Sequence, residues 1–295
     1  MLSVVFFVNE MTFIRYFIPL AQECARRDFE VTFAIGRSGK YNCPLKHEEE
    51  LRNLIYEHVP EAKAVRADKL TKIHDVEVVV EGISCKGGRR VYSLSYMTDF
   101  RLSMENYYDR VDFVCLPSAY FYDKFNIQDP EGKVLAFGSP KYDINPELLD
   151  MEEDLSNTSL MLYHPKVPTA TFVSAIQIEM EYGRDVLIKT RGKHPIGIPT
   201  KPINNRTLTV MSDEEWFPHT TMKLIRNVAY IVNFDSTAIK EIVMLLRRNR
   251  TKNVHVKDFV PLSELYLPEA KEKYLWDFNS SVKLVDHMLA TYMYD

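Results

Sequence analysis

Residues 2–8 read Leu-Ser-Val-Val-Phe-Phe-Val, a continuous apolar run rich in β-branched and aromatic side chains. Such a run is typical of a strand that a parallel sheet buries on both faces. Residues 12–27 follow with an apolar stripe at helical spacing, and residues 30–35, Glu-Val-Thr-Phe-Ala-Ile, repeat the strand pattern. The start of the chain therefore predicts a β-α-β unit, which joins two parallel strands through a helix.

Strand and helix patterns alternate along the rest of the chain, with one interruption at 145–157, which holds Pro146 and an excess of acidic residues. This interruption predicts a boundary between two lobes. We expect an α/β fold with two Rossmann-like, doubly wound lobes facing a cleft. The expected segments are a first lobe over 1–145, a second over 157–280 and a closing helix over 281–295.

The boundaries of the individual elements follow from the same periodicities. Helices are predicted at 12–27, 47–57, 119–125, 170–182, 216–225, 236–247 and 281–290. After the first two strands, further strands are predicted near 64 and at 76–81, 90–94, 111–116, 133–137, 160–163, 185–190, 207–210, 229–233 and 254–256.

The composition excludes several classes of protein. Of 295 residues, 46% are hydrophobic and 26% charged, and 37 Lys+Arg against 41 Asp+Glu give a net charge of −4, so no chain-wide field attracts nucleic acid or an anionic membrane. No apolar run reaches the roughly 18 residues of a membrane helix, and no signal-peptide pattern is present. The four scattered cysteines indicate reduced thiols and no metal site. We expect a cytoplasmic protein that does not insert into membranes.

One segment carries a chemical signal of its own. Asp235-Ser236-Thr237 follows the strand predicted at 229–233 and opens a predicted helix. The hydroxyls of Ser236 and Thr237, with the free N–H groups of a positive helix end, suit a diphosphate. Glu241 lies one turn later on the same face, where it could accept hydrogen bonds from a ribose diol. No GxGxxG or GxxxxGK[ST] motif is present, so classical dinucleotide and P-loop sites are not favoured.

Four motifs in order resemble the GT-B glycosyltransferase superfamily, and within it the CDP-glycerol glycerophosphotransferase-like branch. The family shows a GxPRxD turn, a lyaPT strand, a K.HP strand end and a DySS…E step. Here they read GSPKYD at 138–143, LYHPKV at 162–167, IKTRGKHP at 188–195 and NFDSTAIKE at 233–241. The resemblance implies two Rossmann-like lobes, a nucleotide-activated donor held mainly by the second, and transfer without a bound metal or a separate cofactor.

Donor-binding candidates come from these motifs. Lys189 and Arg191 would neutralise phosphate charge, the arginine in a bidentate way, and His194 would contact the donor. The alternatives are a solvated strand end, an ordinary histidine, a plain turn at 138–141, simple helix capping at 236–237, and an exposed helix carboxylate paired with Arg or Lys at 241. The candidates are Gly138, Ser139, Lys141, Lys189, Arg191, His194, Ser236, Thr237 and Glu241.

Transfer to a hydroxyl needs a general base on the acceptor. Glu10, in the loop after the first strand, is the first candidate, with capping or solvation of the following helix as the alternative. The family carries a His-Gly pair in its first lobe, but the corresponding stretch 91–100, VYSLSYMTDF, has neither residue. Asp99 lies near that place and is the second candidate; its alternative is an N-cap for a helix beginning near Arg101.

The residues leave several classes of acceptor possible. The basic stretch 86–92, KGGRRVY, could hold a polyanionic acceptor through Lys86, Arg89 and Arg90, although most charge runs are solvated faces. The superfamily includes phage enzymes that place sugars on hydroxymethylated cytosine in DNA. The prediction is therefore a metal-independent glycosyltransferase acting on a saccharide, a polyol or such a base, in the host cytoplasm if phage-encoded.

Three other functions stay open at this point. They are glycerophosphotransfer from CDP-glycerol, epimerisation of a nucleotide sugar, and binding of a nucleotide sugar without catalysis. The missing His-Gly pair is what keeps the first in doubt and the last open.

Overall fold

The structure is a computed structural model that describes residues 2–36, 44–70, 78–81, 88–94, 108–119, 128–163, 167–190, 205–212, 215–234, 255–258 and 279–293. The chain divides into two compact units, Met1–Ile144 with Trp276–Asp295, and Asn145–Leu275. The predicted closing helix therefore groups with the first unit, and the segment predicted between the lobes, 145–156, groups with the second.

The described residues of the first unit form a seven-stranded sheet in the order β3-β2-β1-β4-β5-β6-β7. Every strand pairing in it is parallel. The strands are β1 Ser3–Val8, β2 Glu30–Ile35, β3 Lys63–Arg66, β4 Val78–Glu81, β5 Arg90–Leu94, β6 Phe113–Cys115 and β7 Val134–Leu135. The described helices of this unit are α1 Ile14–Arg26 and α2 Glu48–His58, together with the C-terminal helix Ser280–Met293, which we number α5.

The predicted β-α-β start is confirmed: β1 pairs with β2 in parallel, and α1 connects them. The apolar stripe predicted for this helix is fully buried: Phe17, Leu20 and Cys24 lie in α1, and Phe13 directly precedes it. The Phe6 ring of β1 lies 5.5 Å from Phe17 and 5.2 Å from Phe33 of β2, measured between centroids. Aromatic packing between helix and sheet therefore fixes the first strand at the centre of the core.

Helix α5 packs against α1 and is held to the first unit by polar contacts as well. The Asp143 carboxylate accepts hydrogen bonds from the backbone N–H groups of Asn279 at 2.9 Å and Ser281 at 2.6 Å, which caps the start of the helix. Further along, the His287 ring lies edge-on to three aromatic rings of the sheet and the loop after it, those of Tyr92, Phe113 and Phe137. The last residue of the GSPKYD motif thus anchors the C-terminal helix.

In the second unit, the part of the chain that the structure describes forms a five-stranded parallel sheet in the order β10-β9-β8-β11-β12. The strands are β8 Thr158–Leu162, β9 Asp185–Lys189, β10 Leu208–Met211, β11 Tyr230–Asn233 and β12 His255–Asp258. Its described helices are α3 Thr169–Glu181 and α4 Thr220–Asn227. One face of the sheet forms a core with α3; its buried members are Met161, Val167, Phe172, Ala175, Ile176, Met180, Val186, Ile188, Val232 and Phe234.

The predicted α/β class with two doubly wound sheets is confirmed, and the element boundaries differ in a few places. The helix predicted at 216–225 begins at Thr220, because Pro218 disfavours helical backbone before it and the His219 carbonyl accepts the first helical hydrogen bonds, from Met222 and Lys223. The helix predicted at 236–247 lies outside the described residues, as does all but the first residue of the one at 119–125. Among the described helices, none is both long and apolar enough to cross a membrane.

We predict that Asp143→Ala destabilises the first unit by about 1–2 kcal/mol, since two N–H groups at the start of α5 lose a charged acceptor. Urea unfolding and amide hydrogen exchange over α5 measure the effect. Asp286→Ala is the matched control, because it removes an exposed partner of Arg27 (2.8 Å) from the same helix and should cost less than about 1 kcal/mol. Equal losses in the two variants would contradict the capping role.

We also predict that docking of α5 weakens in mild acid. Burial, and then the positive charge of Arg90, lowers the pKa of His287 below its usual 6.5. The folded chain therefore keeps this imidazole neutral at a pH where the unfolded chain protonates it, so stability is full above about pH 6.5 and falls as the pH drops below it. In His287→Gln the amides of α5 should keep their exchange protection between pH 7 and pH 5.5.

His58→Gln serves as the control for this pH effect. Burial also lowers the pKa of His58, but this residue ends α2, and the other charge that acts on it is that of Glu57 in the same helix. Its replacement should leave the acid-induced loss of α5 protection as in the wild type. An unchanged loss in His287→Gln would show that the histidine does not control the docking.

Candidate functional site

The strand orders locate the place in each sheet where a ligand fits. From β1 the chain adds β2 and β3 on one side and then β4 on the other, so the order reverses between β1 and β4. In the second sheet the corresponding reversal lies between β8 and β11. In open parallel sheets, the connections leave such a point in opposite directions, and ligands bind there beyond the carboxyl ends of the strands.

Glu10 lies at the reversal point of the first sheet, two residues after the end of β1. The residue has extended backbone, and its carbonyl accepts a hydrogen bond from Phe13 N–H at 3.1 Å, which starts a 3-10 helix over Met11–Phe13. Its side chain makes no capping hydrogen bond to that helix; instead the carboxylate accepts one from the Thr12 hydroxyl at 3.3 Å. The carboxylate is half-buried at the carboxyl edge, while its neighbour Met11 is fully buried.

The GSPKYD turn follows β7 at the same edge of the sheet and packs on α1. Gly138 has φ of +98°, a conformation that favours glycine. Ser139 is buried and precedes a 3-10 helix over Pro140–Tyr142. Lys141 is also buried, and its ammonium lies 6.0 Å from the centroid of the Tyr16 ring and 5.7 Å from that of Tyr142. The cation of this turn is therefore held against aromatic faces beside α1.

Lys189 ends strand β9 in the second sheet and is only 5% exposed, so the alternative of a solvated strand end is wrong for it. Its ammonium donates to the Thr190 carbonyl at 2.8 Å, which holds the charge at the carboxyl edge. Leu162 of β8 is the register partner of both Lys189 and Asn233. Register partners project to one face, so the lysine and the fully buried Asn233 flank the end of β8, about 10 Å apart across two strand spacings.

All three motifs of the second unit begin at the carboxyl ends of its strands. LYHPKV starts at the last residue of β8, IKTRGKHP covers the last two residues of β9, and NFDSTAIKE starts at the last residue of β11. Two of these strands, β8 and β11, border the reversal point. Several candidates lie outside the described residues and stay predictions: Lys86, Asp99, Arg191, His194, Ser236, Thr237 and Glu241.

Arg89 and Arg90 lie at a different edge of the first sheet from the other described candidates of this unit. Arg90 is the first residue of β5, so the pair lies at the amino edge of the sheet, opposite the edge that carries Glu10. There the charge of Arg90 acts on His287 of the C-terminal helix. The structure thus separates the predicted acceptor arginines from the predicted base.

Sequence reasoning missed three polar residues at these edges. Asn9, 4% exposed, directly precedes Glu10, and Asn233 ends the strand that leads into Asp235-Ser236-Thr237. A polar residue at the end of an otherwise apolar strand was the available signal for both. Asp143 was visible only as part of a motif, and its contact with α5 joins residues far apart in sequence. Within the described ranges, no group of three or more His, Cys, Asp or Glu side chains could hold a metal ion.

No protein-family model matches this sequence, and neither does any curated protein. Solved structures do resemble it. The S. aureus MnaA–UDP co-structure has a TM-score of 0.61 at 13% identity, covering 99% of this chain and 97% of that one. The UDP-GlcNAc 2-epimerase from Neisseria meningitidis, bound to UDP-GlcNAc, has a TM-score of 0.57 at 12% identity, covering 98% and 99%.

A glycotransferase of kitacinnamycin is similar at a TM-score of 0.49 and 9% identity, covering 98% of this chain and 92% of that one. At these identities the matches establish the fold, and they do so over nearly the whole of each chain. The chain therefore has the GT-B-like α/β fold that the UDP-GlcNAc 2-epimerases share.

Proposed function

We propose that this chain is an enzyme that binds a nucleoside-diphosphate sugar and transfers the sugar to a hydroxyl acceptor. The observation that supports the proposal is that the sequence motifs lie at the ligand-binding end of the second sheet. The second-unit motifs begin where β8, β9 and β11 end, around the reversal point at which such folds bind ligands. Structures with this fold contain UDP or UDP-GlcNAc, which supports a nucleotide sugar as the donor.

Lys189 is proposed to bind the diphosphate. Its ammonium lies at the carboxyl edge of the sheet, where it donates to the Thr190 carbonyl, and its burial places the charge in a medium where it acts strongly on an anion. A cation at the leaving group stabilises the negative charge that develops as the sugar–phosphate bond breaks. Arg191, His194, Ser236, Thr237 and Glu241 are proposed as further donor contacts because they follow the same strand ends in the sequence.

Glu10 is proposed as the general base. Its carboxylate takes the proton of the acceptor hydroxyl, the acceptor oxygen bonds to the anomeric carbon, and the bond from that carbon to the diphosphate oxygen breaks. The nucleoside diphosphate leaves with the bonding electron pair. The position of Glu10 at the reversal point of the first sheet supports this role. A saccharide or polyol hydroxyl is the proposed acceptor, since Arg89 and Arg90 lie at the opposite edge from Glu10.

Lys189→Met should weaken binding of UDP and UDP-GlcNAc by about 10-fold or more, because a charge-assisted contact is worth about 1.5–3 kcal/mol. Calorimetric titration measures the affinity, and a thermal-shift screen with UDP, GDP and CDP conjugates first identifies the donor. Lys133→Met is the control: this lysine pairs with Glu131 at 2.6 Å in the first unit. Equal affinity in Lys189→Met and wild type would contradict the proposed diphosphate contact.

Glu10→Gln should lower turnover by about 10²–10⁴-fold while donor affinity stays within about 3-fold, because only proton transfer is lost. Release of nucleoside diphosphate in the presence of glycerol or simple saccharides measures the rate. Glu61→Gln is the matched control, since Glu61 is exposed beside the amino end of β3 on the other edge of the same sheet. Full turnover by Glu10→Gln would remove this residue from the mechanism.

Epimerisation of a nucleotide sugar is the second candidate. The similarity to UDP-GlcNAc 2-epimerases over nearly the full length of both chains favours it. NMR of UDP-GlcNAc incubated with the protein alone separates the two reactions: an epimerase forms the 2-epimer without an acceptor, whereas a transferase leaves the sugar unchanged or releases UDP. CDP-glycerol tests glycerophosphotransfer in the same assay, and binding without turnover of any donor would indicate a catalytically inert protein.

A further inference from the structure

Gly36, the first residue after β2, lies against the side chain of Asn9, the first residue after β1. The two strands are neighbours, and Gly36 N–H donates to the Val8 carbonyl at 2.9 Å. A Cβ atom at position 36 would lie 2.8 Å from Asn9 Oδ1 and 3.1 Å from Cε1 of Phe7. Even the smallest side chain at this position would therefore displace a neighbour.

Backbone conformation does not account for this glycine. Its φ lies outside the left-handed region, unlike that of Gly132 at +67° or Gly138 at +98°. Close approach of the two loops is what requires the absence of a Cβ atom. Position 36 is thus constrained by its contact with Asn9.

The Asn9 side chain has little room to yield. Asn9 is 4% exposed and Phe7 is 5% exposed, so both groups that face position 36 are packed against the rest of the unit. Asn9 N–H donates to the Phe7 carbonyl at 3.1 Å, which ties the residue back to the end of β1. Because the space around Asn9 is filled, pressure on its side chain acts on its own backbone at this point.

Any such movement reaches Glu10, because Glu10 is the next residue. Met11, which follows Glu10, is fully buried. Glu10 therefore lies between two packed residues, Asn9 and Met11, which together set the position of its carboxylate. We propose that Gly36 and Asn9 are positioning residues for the Glu10 carboxylate. The inference rests on the proposed role of Glu10 as general base. A misplacement of about 1 Å at a catalytic group can cost 10²-fold in rate.

Gly36→Ala tests the proposal. We expect turnover of the donor found in the screen to fall at least 10-fold, while its dissociation constant, which the second unit sets, changes less than 3-fold. A merely structural role would lower the folded fraction and leave the turnover of the folded enzyme unchanged. Gly132→Ala is the matched control, because its Cβ atom would meet nothing within 4 Å and its strained backbone lowers stability without touching the Glu10 loop.

The double variant Asn9→Ala/Gly36→Ala gives the sharpest readout. If the two residues act through one contact, removing the Asn9 carboxamide makes room for the new methyl group. The double variant should then turn over faster than Gly36→Ala, and the two single effects should not multiply. Multiplying effects, or a Gly36→Ala enzyme as active as Gly132→Ala, would overturn the proposal.

Glu10→Gln separates this inference from the proposed function. An inactive Glu10→Gln with a fully active Gly36→Ala would overturn only the positioning role. A fully active Glu10→Gln would overturn the general base itself, and with it the reason for positioning the residue.

Discussion

The reversal of strand order beside β1 and beside β8 is the constraint on which the rest of the structure depends. On each side of a reversal the connecting segments leave the sheet in opposite directions, so no connection covers the strand ends between them. The ends of β1, β8 and β11 are therefore the positions where a polar side chain can meet a ligand, and Glu10, Lys189 and Asn233 lie at or beside them.

The polar groups buried at these edges lower the stability of the fold unless they are hydrogen-bonded. A buried amine or amide costs free energy unless it is hydrogen-bonded, and an apolar side chain would fill the same space without that cost. Lys189 is nevertheless buried at the end of a strand whose previous three residues are apolar, and Asn233 follows Ile231 and Val232 in the same way. Beside the amino half of the second sheet, the buried Glu179 of α3 offsets the same cost through its Oε2 atom, which accepts hydrogen bonds from Ser159 and Arg184 at 2.6 Å each.

The sequence allowed much of the fold to be predicted because apolar periodicity reports burial directly. The second and fifth strands have the predicted bounds, 30–35 and 90–94, and the stripe of α1 is buried as expected. The helix predicted at 216–225 failed at its start because periodicity ignores the backbone restriction that Pro218 imposes. Periodicity also cannot report contacts between distant residues, such as Asp143 with the start of α5 or Asn9 with Gly36. Of the candidate site, the sequence therefore predicted only those residues that lie in motifs at the ends of strands.

Amide hydrogen exchange with and without the nucleotide sugar that gives the largest thermal shift tests the central claim most directly. Binding at the reversal points should protect the segments that follow β8, β9 and β11, and leave the amino ends of the same strands unchanged. Protection confined to the amino edges of the sheets, or no protection by any nucleotide sugar at saturating concentration, would contradict it.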